Sequence, residues 1–370
     1  MLLASPSGNA LEWSNTPSFV LTATEDSNLH MLPSELTHDV SSNLLVATTT
    51  VVGRNETASF SFTPRVMATR YDDPAEVDRN DESADFGLVL AGARQTWSFG
   101  ASYVNEGTLR SDFETIGFSA LDVNREQTSA NVGWSRPAEH GSFDAGIGAT
   151  AVDYADVALS PFSNNRSQDL QGGYTRRLNE RTSLRFSLAH MRIETDAGHV
   201  ATVSDDVRVR WSHSFSEVLS ASVGAGALKA TTDVRGGATA ETLGTLERTT
   251  PAVDFGVNRR WAYWQFSAIG SRTIEPDGRG TVLLDDSVEV SFSRRVGQRL
   301  DLGFSVRAGQ ISTAGVLYDH NFSAEGVTLH WAFKRRWALD GLFQERAEKW
   351  ALRPGVNGFA SYLSIAYRGS

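Results

Sequence analysis

A chain of 370 residues, 40% of them hydrophobic, with no cysteine and a formal charge of −10, is long enough for two or three ordinary domains. It shows no composition break, proline-rich linker or low-complexity tract to divide them. The missing cysteines exclude disulfides, Cys-based zinc sites and thiol nucleophiles. The acidic balance disfavours nonspecific nucleic-acid binding, and no window approaches the roughly 18 apolar residues of a membrane-crossing helix.

The local pattern is strict alternation, the period of a half-buried β-strand. The first strand is expected near Phe19–Glu25. Trp97, Phe99, Ala101 and Tyr103 alternate with Ser98, Gly100 and Ser102; Ser183 to Leu188, Val207 to Ser212, Val288 to Ser293 and Leu300 to Gly309 do the same, and the last strand is expected near Gly358–Tyr367. Short polar turns fall near Asn55, Gln95, Glu139, Glu180, Glu217, Trp261, Gln298 and Arg336. Their spacing of roughly 40 residues defines a repeat of two strands, one tight turn and one longer loop. The longer connections are polar: Asp72 to Glu82, Ala155 to Arg166 and Asp233 to Thr245.

Short turns on one side and long loops on the other is the asymmetry of outer-membrane barrels. The expected fold is all-β: a transmembrane antiparallel up-and-down barrel of about 18 strands, with 16 as the alternative. The competing architecture is a soluble β-helix, adhesin or propeller, whose blades repeat at a similar length. The many Arg, Asp, Ser and Gly residues on the polar face argue against a packed interior. Met1 to Pro6 is too short and lacks the basic start of a signal peptide, so the chain reads as mature. Residues 1–18 are taken as an N-terminal periplasmic extension and 19–370 as one barrel.

Closure in lipid requires the apolar face to point outward. Phe60, Phe62, Trp134, Phe143, Ile147, Phe186, Val209, Trp211, Phe255, Trp264, Phe266, Phe292, Phe304, Leu329, Trp331, Phe333, Leu363 and Ile365 are assigned to it. Trp97, Trp134, Trp261, Tyr263, Trp264, Trp331 and Trp337 gather near the short turns as an interfacial girdle. The opposite parity places Arg65, Asn131, Asp144, Arg185, Arg208, Arg210, Asp254, Asn258, Gln265, Glu289, Asp301, Arg307, His330, Asp340 and Gln344 on a water-filled lumen.

Basic runs recur beside the short turns: Arg176-Arg177, Arg259-Arg260, Arg294-Arg295 and Arg335-Arg336. They are expected to form a periplasmic rim, either attracting an anionic polymer or anchoring the barrel in the interface; anchoring is the simpler reading. Asp72-Asp73, Asp205-Asp206 and Asp285-Asp286 are read as solvated ends of long loops, with divalent-ion binding as the lesser alternative. The eight histidines are scattered, none in an H-E-x-x-H context and no serine in G-x-S-x-G. No catalytic residue, metal site or cofactor is expected.

Thr24 to Pro33, followed by His38-Asp39-Val40, together with repeated Arg-Arg-Leu turns such as Arg176-Arg177-Leu178, resembles the β-barrel porin type 2 family and barrels encoded in exopolysaccharide operons. The resemblance implies an outer-membrane barrel that helps a polysaccharide cross. With Arg65, Arg185, Arg208, Arg210 and Arg307 able to hold carboxylates, the leading expectation is a conduit for an acidic polysaccharide. Its partners would be outer-membrane lipid, lipopolysaccharide and periplasmic export components. A general diffusion porin is the alternative, ahead of a scaffold or receptor barrel and an outer-membrane enzyme. Tyr362 to Tyr367 alternates like the terminal strand of such barrels, although the chain ends in Arg368-Gly369-Ser370.

Overall fold

The computed structural model describes residues 12–369 apart from 32–36, 38, 75, 109–122, 156–162, 196–199, 237–240, 277–281, 314–319 and 351–354. Residues 1–11, Leu32, Pro33, His38 and Ser370, which figure in the expectations above, lie outside the described residues. The strands are β1 (Glu12–Asp26), β2 (Val40–Arg54), β3 (Ala58–Tyr71), β4 (Arg79–Ala91), β5 (Thr96–Gly107), β6 (Asn124–Ala138), β7 (Gly141–Tyr154), β8 (Asn165–Asn179) and β9 (Thr182–Thr195). They continue as β10 (Val200–Ser214), β11 (Leu219–Gly236), β12 (Glu241–Arg260), β13 (Trp264–Pro276), β14 (Val282–Val296), β15 (Leu300–Thr313), β16 (His320–Lys334), β17 (Trp337–Trp350) and β18 (Val356–Arg368). Each pairs antiparallel with its sequence neighbours, and β1 pairs with both β2 and β18, closing an 18-stranded barrel.

All eight tight turns lie between strands as the polar signals indicate. Their side chains show why. Asn55 Oδ1 accepts from the backbone N–H of Thr57 (3.0 Å) and Ala58 (2.7 Å). Asn179 Oδ1 accepts from Arg181 N–H at 2.9 Å, and Ser216 Oγ from Val218 and Leu219 N–H. These local bonds reverse the chain without a partner strand. Gly297 has φ +74°, a left-handed position that glycine occupies without steric cost.

Three expectations are corrected. The wall begins at Glu12, opposite Arg54, so residues 12–18 are strand and not extension. The segment 233–245 is largely strand, because β11 runs to Gly236 and β12 starts at Glu241. Asp205-Asp206 and Asp285-Asp286 lie inside β10 and β14, and the pleat sends the two members of each pair to opposite faces. Asp72-Asp73 directly follows β3, as a loop end should.

The outer face is apolar. Phe143 (45% exposed), Ile147 (58%), Phe304 (47%) and Leu363 (54%) have no protein over them, an arrangement that only a lipid surround stabilises. Above this belt the outer face turns polar: Glu82, Asn105, Glu126 and Asp153 are successive cross-strand partners, and Lys229 pairs with Glu247 at 2.8 Å. That row marks where the hydrocarbon ends. At the short-turn end, Arg294 stacks on Trp264 (4.5 Å) and Arg259 on Trp261 (4.4 Å), the cation–aromatic pairing of an interfacial girdle.

The ladder is incomplete at one seam. β12 and β13 pair from Arg260–Gln265 up to Asp254–Ser271 and no further. Both strands continue upward on their other sides, β12 with β11 and β13 with β14. Pro251 lies on β12 just above the last pair. Proline lacks an N–H and is tolerated in a sheet on an edge strand, which β12 has become at that level.

Candidate functional site

The register places every sequence-assigned lumen residue on a single face of the sheet. Arg185 opposes Arg210 and Thr175; Arg210 opposes Gly224; Gly224 opposes Asp254; Asp301 opposes His330; His330 opposes Asp340. This is the inner face, because its side chains also reach strands that are not neighbours. Arg208 on β10 meets Asp254 on β12 at 3.6 Å, and Arg346 on β17 meets Asp26 on β1 at 2.6 Å.

Most inner charges are already matched. Arg185 grips Asp144 through both oxygens, at 2.7 Å each. Arg208 Nε donates to both oxygens of Asp206, at 2.9 and 2.8 Å, and Arg210 Nε donates to Asp254 at 2.7 Å. Arg307 lies 3.8 Å from Asp285, and His330 bonds Asp340. Glycine makes room for one of these pairs: Gly224 stands between Arg210 and Asp254, and a Cβ there would collide with the Asp254 carboxylate. Of the five arginines expected to hold an acidic polymer, Arg65 alone has no carboxylate partner among the described residues. The guanidiniums are satisfied by the wall itself, which removes the motivation for a polyanion track.

Asp254 is 4% exposed and neutralises two guanidiniums at once. Asp254→Asn uncovers net positive charge in the lumen. The expected result is a reversal potential displaced toward anion permeation in a salt gradient, with ion selectivity altered by about twofold or more. An unchanged reversal potential would mean that ions do not pass this level.

The basic rim divides by the pleat. Arg177, Arg260 and Arg295 share the inner parity, and Arg295 bonds Asp301 at 3.2 Å. Arg176, Arg259 and Arg294 point outward, two of them onto tryptophan. Arg335 and Arg336 occupy the β16–β17 turn. A continuous basic ring around the mouth is therefore not formed. Near that mouth a cavity of about 510 Å³ is lined by Arg177, Ser183, Ser212, Ser222, Asn258 and Ser267, a wettable, hydroxyl-rich surface.

On β9, β11 and β12 the upper part of the inner face is dry. Ile193, Leu228, Ala230 and Ala252, all of inner parity on β9, β11 and β12, are at most 3% exposed. They are covered by Ile274 of β13 and Leu284 of β14, whose parity is that of the outer face. Sequence alternation alone assigns Arg272, Ile274 and Leu284 to lipid and so misses them. Pro251 is the signal that could have found this region.

Among the described residues the histidines form no nucleophilic arrangement. His190 bonds Asp205 on the outer face and His213 bonds Thr182. On the inner face Asp340 lies between His330 and Ser364 in the register, whereas a relay needs the imidazole between acid and nucleophile.

No model of a known protein family matches the chain, and no curated protein matches it. Solved barrels do. OccAB4 of Acinetobacter baumannii aligns over 99% of this chain and 100% of its own, at 10% identity and a TM-score of 0.55. OpdK of Pseudomonas aeruginosa, solved with vanillate, aligns over 96% and 98%, at 11% identity and 0.52. The FrpB iron transporter of Neisseria meningitidis aligns over 95% and 81%, at 10% identity and 0.51. At such identities the likeness is one of fold. With its apolar outer belt, the chain has the fold of an outer-membrane β-barrel. The porin part of the sequence resemblance agrees with these neighbours; the exopolysaccharide-operon part has no counterpart among them.

Proposed function

We propose that the chain is a passive outer-membrane channel for small hydrophilic solutes, with little preference for charge sign and no catalytic role. Lipid and lipopolysaccharide surround it. The observation that carries this reading is the internal neutralisation of the lumen. Arginines and carboxylates cancel pairwise along β7 to β15, and the inner charges without an ion-pair partner among the described residues, Arg65, Arg177 and Arg260 against Asp85, Asp169 and Glu289, are of both signs. A wall of that kind admits water and small polar molecules without capturing a charged polymer. The small-solute alternative is thus favoured over polysaccharide export, four of whose five supporting arginines are occupied.

The test is swelling of liposomes that carry the purified barrel. Neutral, anionic and cationic solutes of the size of a monosaccharide or amino acid should enter at rates within about threefold of one another, because pore width and not a charged ring sets the rate. Entry restricted to one charge class, or entry of a long acidic oligosaccharide, would overturn the reading.

A further inference from the structure

The seam between β12 and β13 has a geometric consequence. Above Asp254–Ser271 the two halves of the wall overlap instead of meeting. The outer-parity side chains of β13, β14 and β15 there touch the inner face of β9 to β12. Ile274 and Leu284 cover Leu228, Ala252, Ile193 and Ala230. Arg272 Nη1 donates to Thr250 Oγ1 at 3.2 Å, Arg208 Nη2 donates to the Arg272 carbonyl at 2.9 Å, and Arg248 Nη1 donates to Ser312 Oγ at 3.2 Å. Arg272 is itself fixed by Asp286 through two bonds, at 2.5 and 2.7 Å. Strand ends that touch an inner face with their outward side chains stand inside the barrel.

We propose that these strand ends, Arg272–Ile274 of β13, Leu283–Asp286 of β14 and Ile311–Ser312 of β15, are the element that narrows the channel and sets the size of solute it passes. The inference rests on the reading of the chain as a channel. The element is seated in three ways. A dry patch of small and aliphatic side chains receives it, on a face that is otherwise polar. Three arginines, Arg208, Arg248 and Arg272, pin its rim. Pro251 removes a backbone donor from the β12 edge at the level where the wall would otherwise zip shut. Below the seam the lumen is hydroxyl-lined. At and above it the inner side chains Leu283, Asp285 and Ile311 are buried as well, so the constriction lies in the half of the barrel that bears the long loops.

The seat is tested by dislodging it. Ile274→Asp with Leu284→Asp places two carboxylates against the dry patch, where an unpaired charge is strongly disfavoured. The native chain has no cysteine, so Ala230→Cys provides a single thiol beneath the element. In the otherwise native barrel, folded in vesicles, that thiol should resist a water-soluble maleimide. With the two aspartates added it should react, single-channel conductance should rise about twofold or more, and liposomes should admit larger sugars, because the narrowest cross-section limits flow. A thiol at position 230 that reacts in the single variant overturns the seat. A thiol that is protected in the single variant and reacts once the aspartates are added, with equal, finite conductance in the two barrels, overturns the constricting role and leaves the channel reading intact. No current and no sugar entry from either barrel overturns the channel reading, and the constriction with it.

Discussion

Phe304→Arg should lower the stability of the folded barrel by about 2–4 kcal/mol, the cost of an arginine near the bilayer midplane on the lipid face. Ser305→Arg, one residue further on, should cost almost nothing. Phe304 lies on the outer face of β15, opposite Phe292 and Val327, below the polar row that ends the hydrocarbon. Ser305 shares the inner parity with Arg307 and lines a cavity of about 220 Å³ together with Glu289 and Gln344. Denaturant unfolding in phospholipid vesicles measures the first difference. The inner variant should instead show itself as reduced conductance, since a long cation then stands in the lumen. Equal stability losses at the two positions would mean that the faces are not divided between lipid and water.

Arg346→Ala should cost about 3–5 kcal/mol, the usual loss when one partner leaves a buried ion pair. Arg346 and Asp26 are 6% and 7% exposed, and Arg346 Nη2 is 2.6 Å from each carboxylate oxygen. The bond reaches from β17 over β18 to the end of β1, and so crosses the closure of the barrel. Asp26 is committed further: Asn28 N–H donates to it at 3.0 Å, and Asn28 Nδ2 donates to the Asn357 carbonyl at 3.0 Å. Without the guanidinium, the Asp26 charge is left in a site that water barely reaches. Arg346→Met combined with Asp26→Leu removes both charges and should recover a substantial part of the loss. A single variant as stable as the native barrel, in the same unfolding experiment, would show that the clasp contributes nothing to closure.

Alternation and turn chemistry together made the barrel legible, because each is local. Asn55, Asn179 and Ser216 bind their own backbones, so the turns they make do not depend on the rest of the fold. Inner and outer faces follow from parity wherever the ladder is unbroken. The start of β1 was hidden because Asn15 and Pro17 occupy outer positions that aliphatic residues would normally mark. Asp205-Asp206 and Asp285-Asp286 looked like loop ends because adjacent carboxylates are unwelcome in a short strand. These strands extend beyond the lipid, and the pleat turns only one member of each pair inward. The largest discrepancy concerns Arg272, Ile274 and Leu284. Their parity is outward, yet the overlap at the seam puts them against the inner face, an arrangement fixed by contacts between distant strands. The partners of two lumen arginines are equally non-local: Asp144 is two strands from Arg185 and Asp254 two strands from Arg210, so the sequence shows these charges but not their cancellation.

Single-channel current from the purified barrel in a planar bilayer is the most direct test of the neutral, open lumen. The expected result is a steady ohmic conductance with weak ion selectivity that an added acidic oligosaccharide does not block. Barrels that insert in folded form and carry no current, or a current abolished by the acidic oligosaccharide alone, would contradict it.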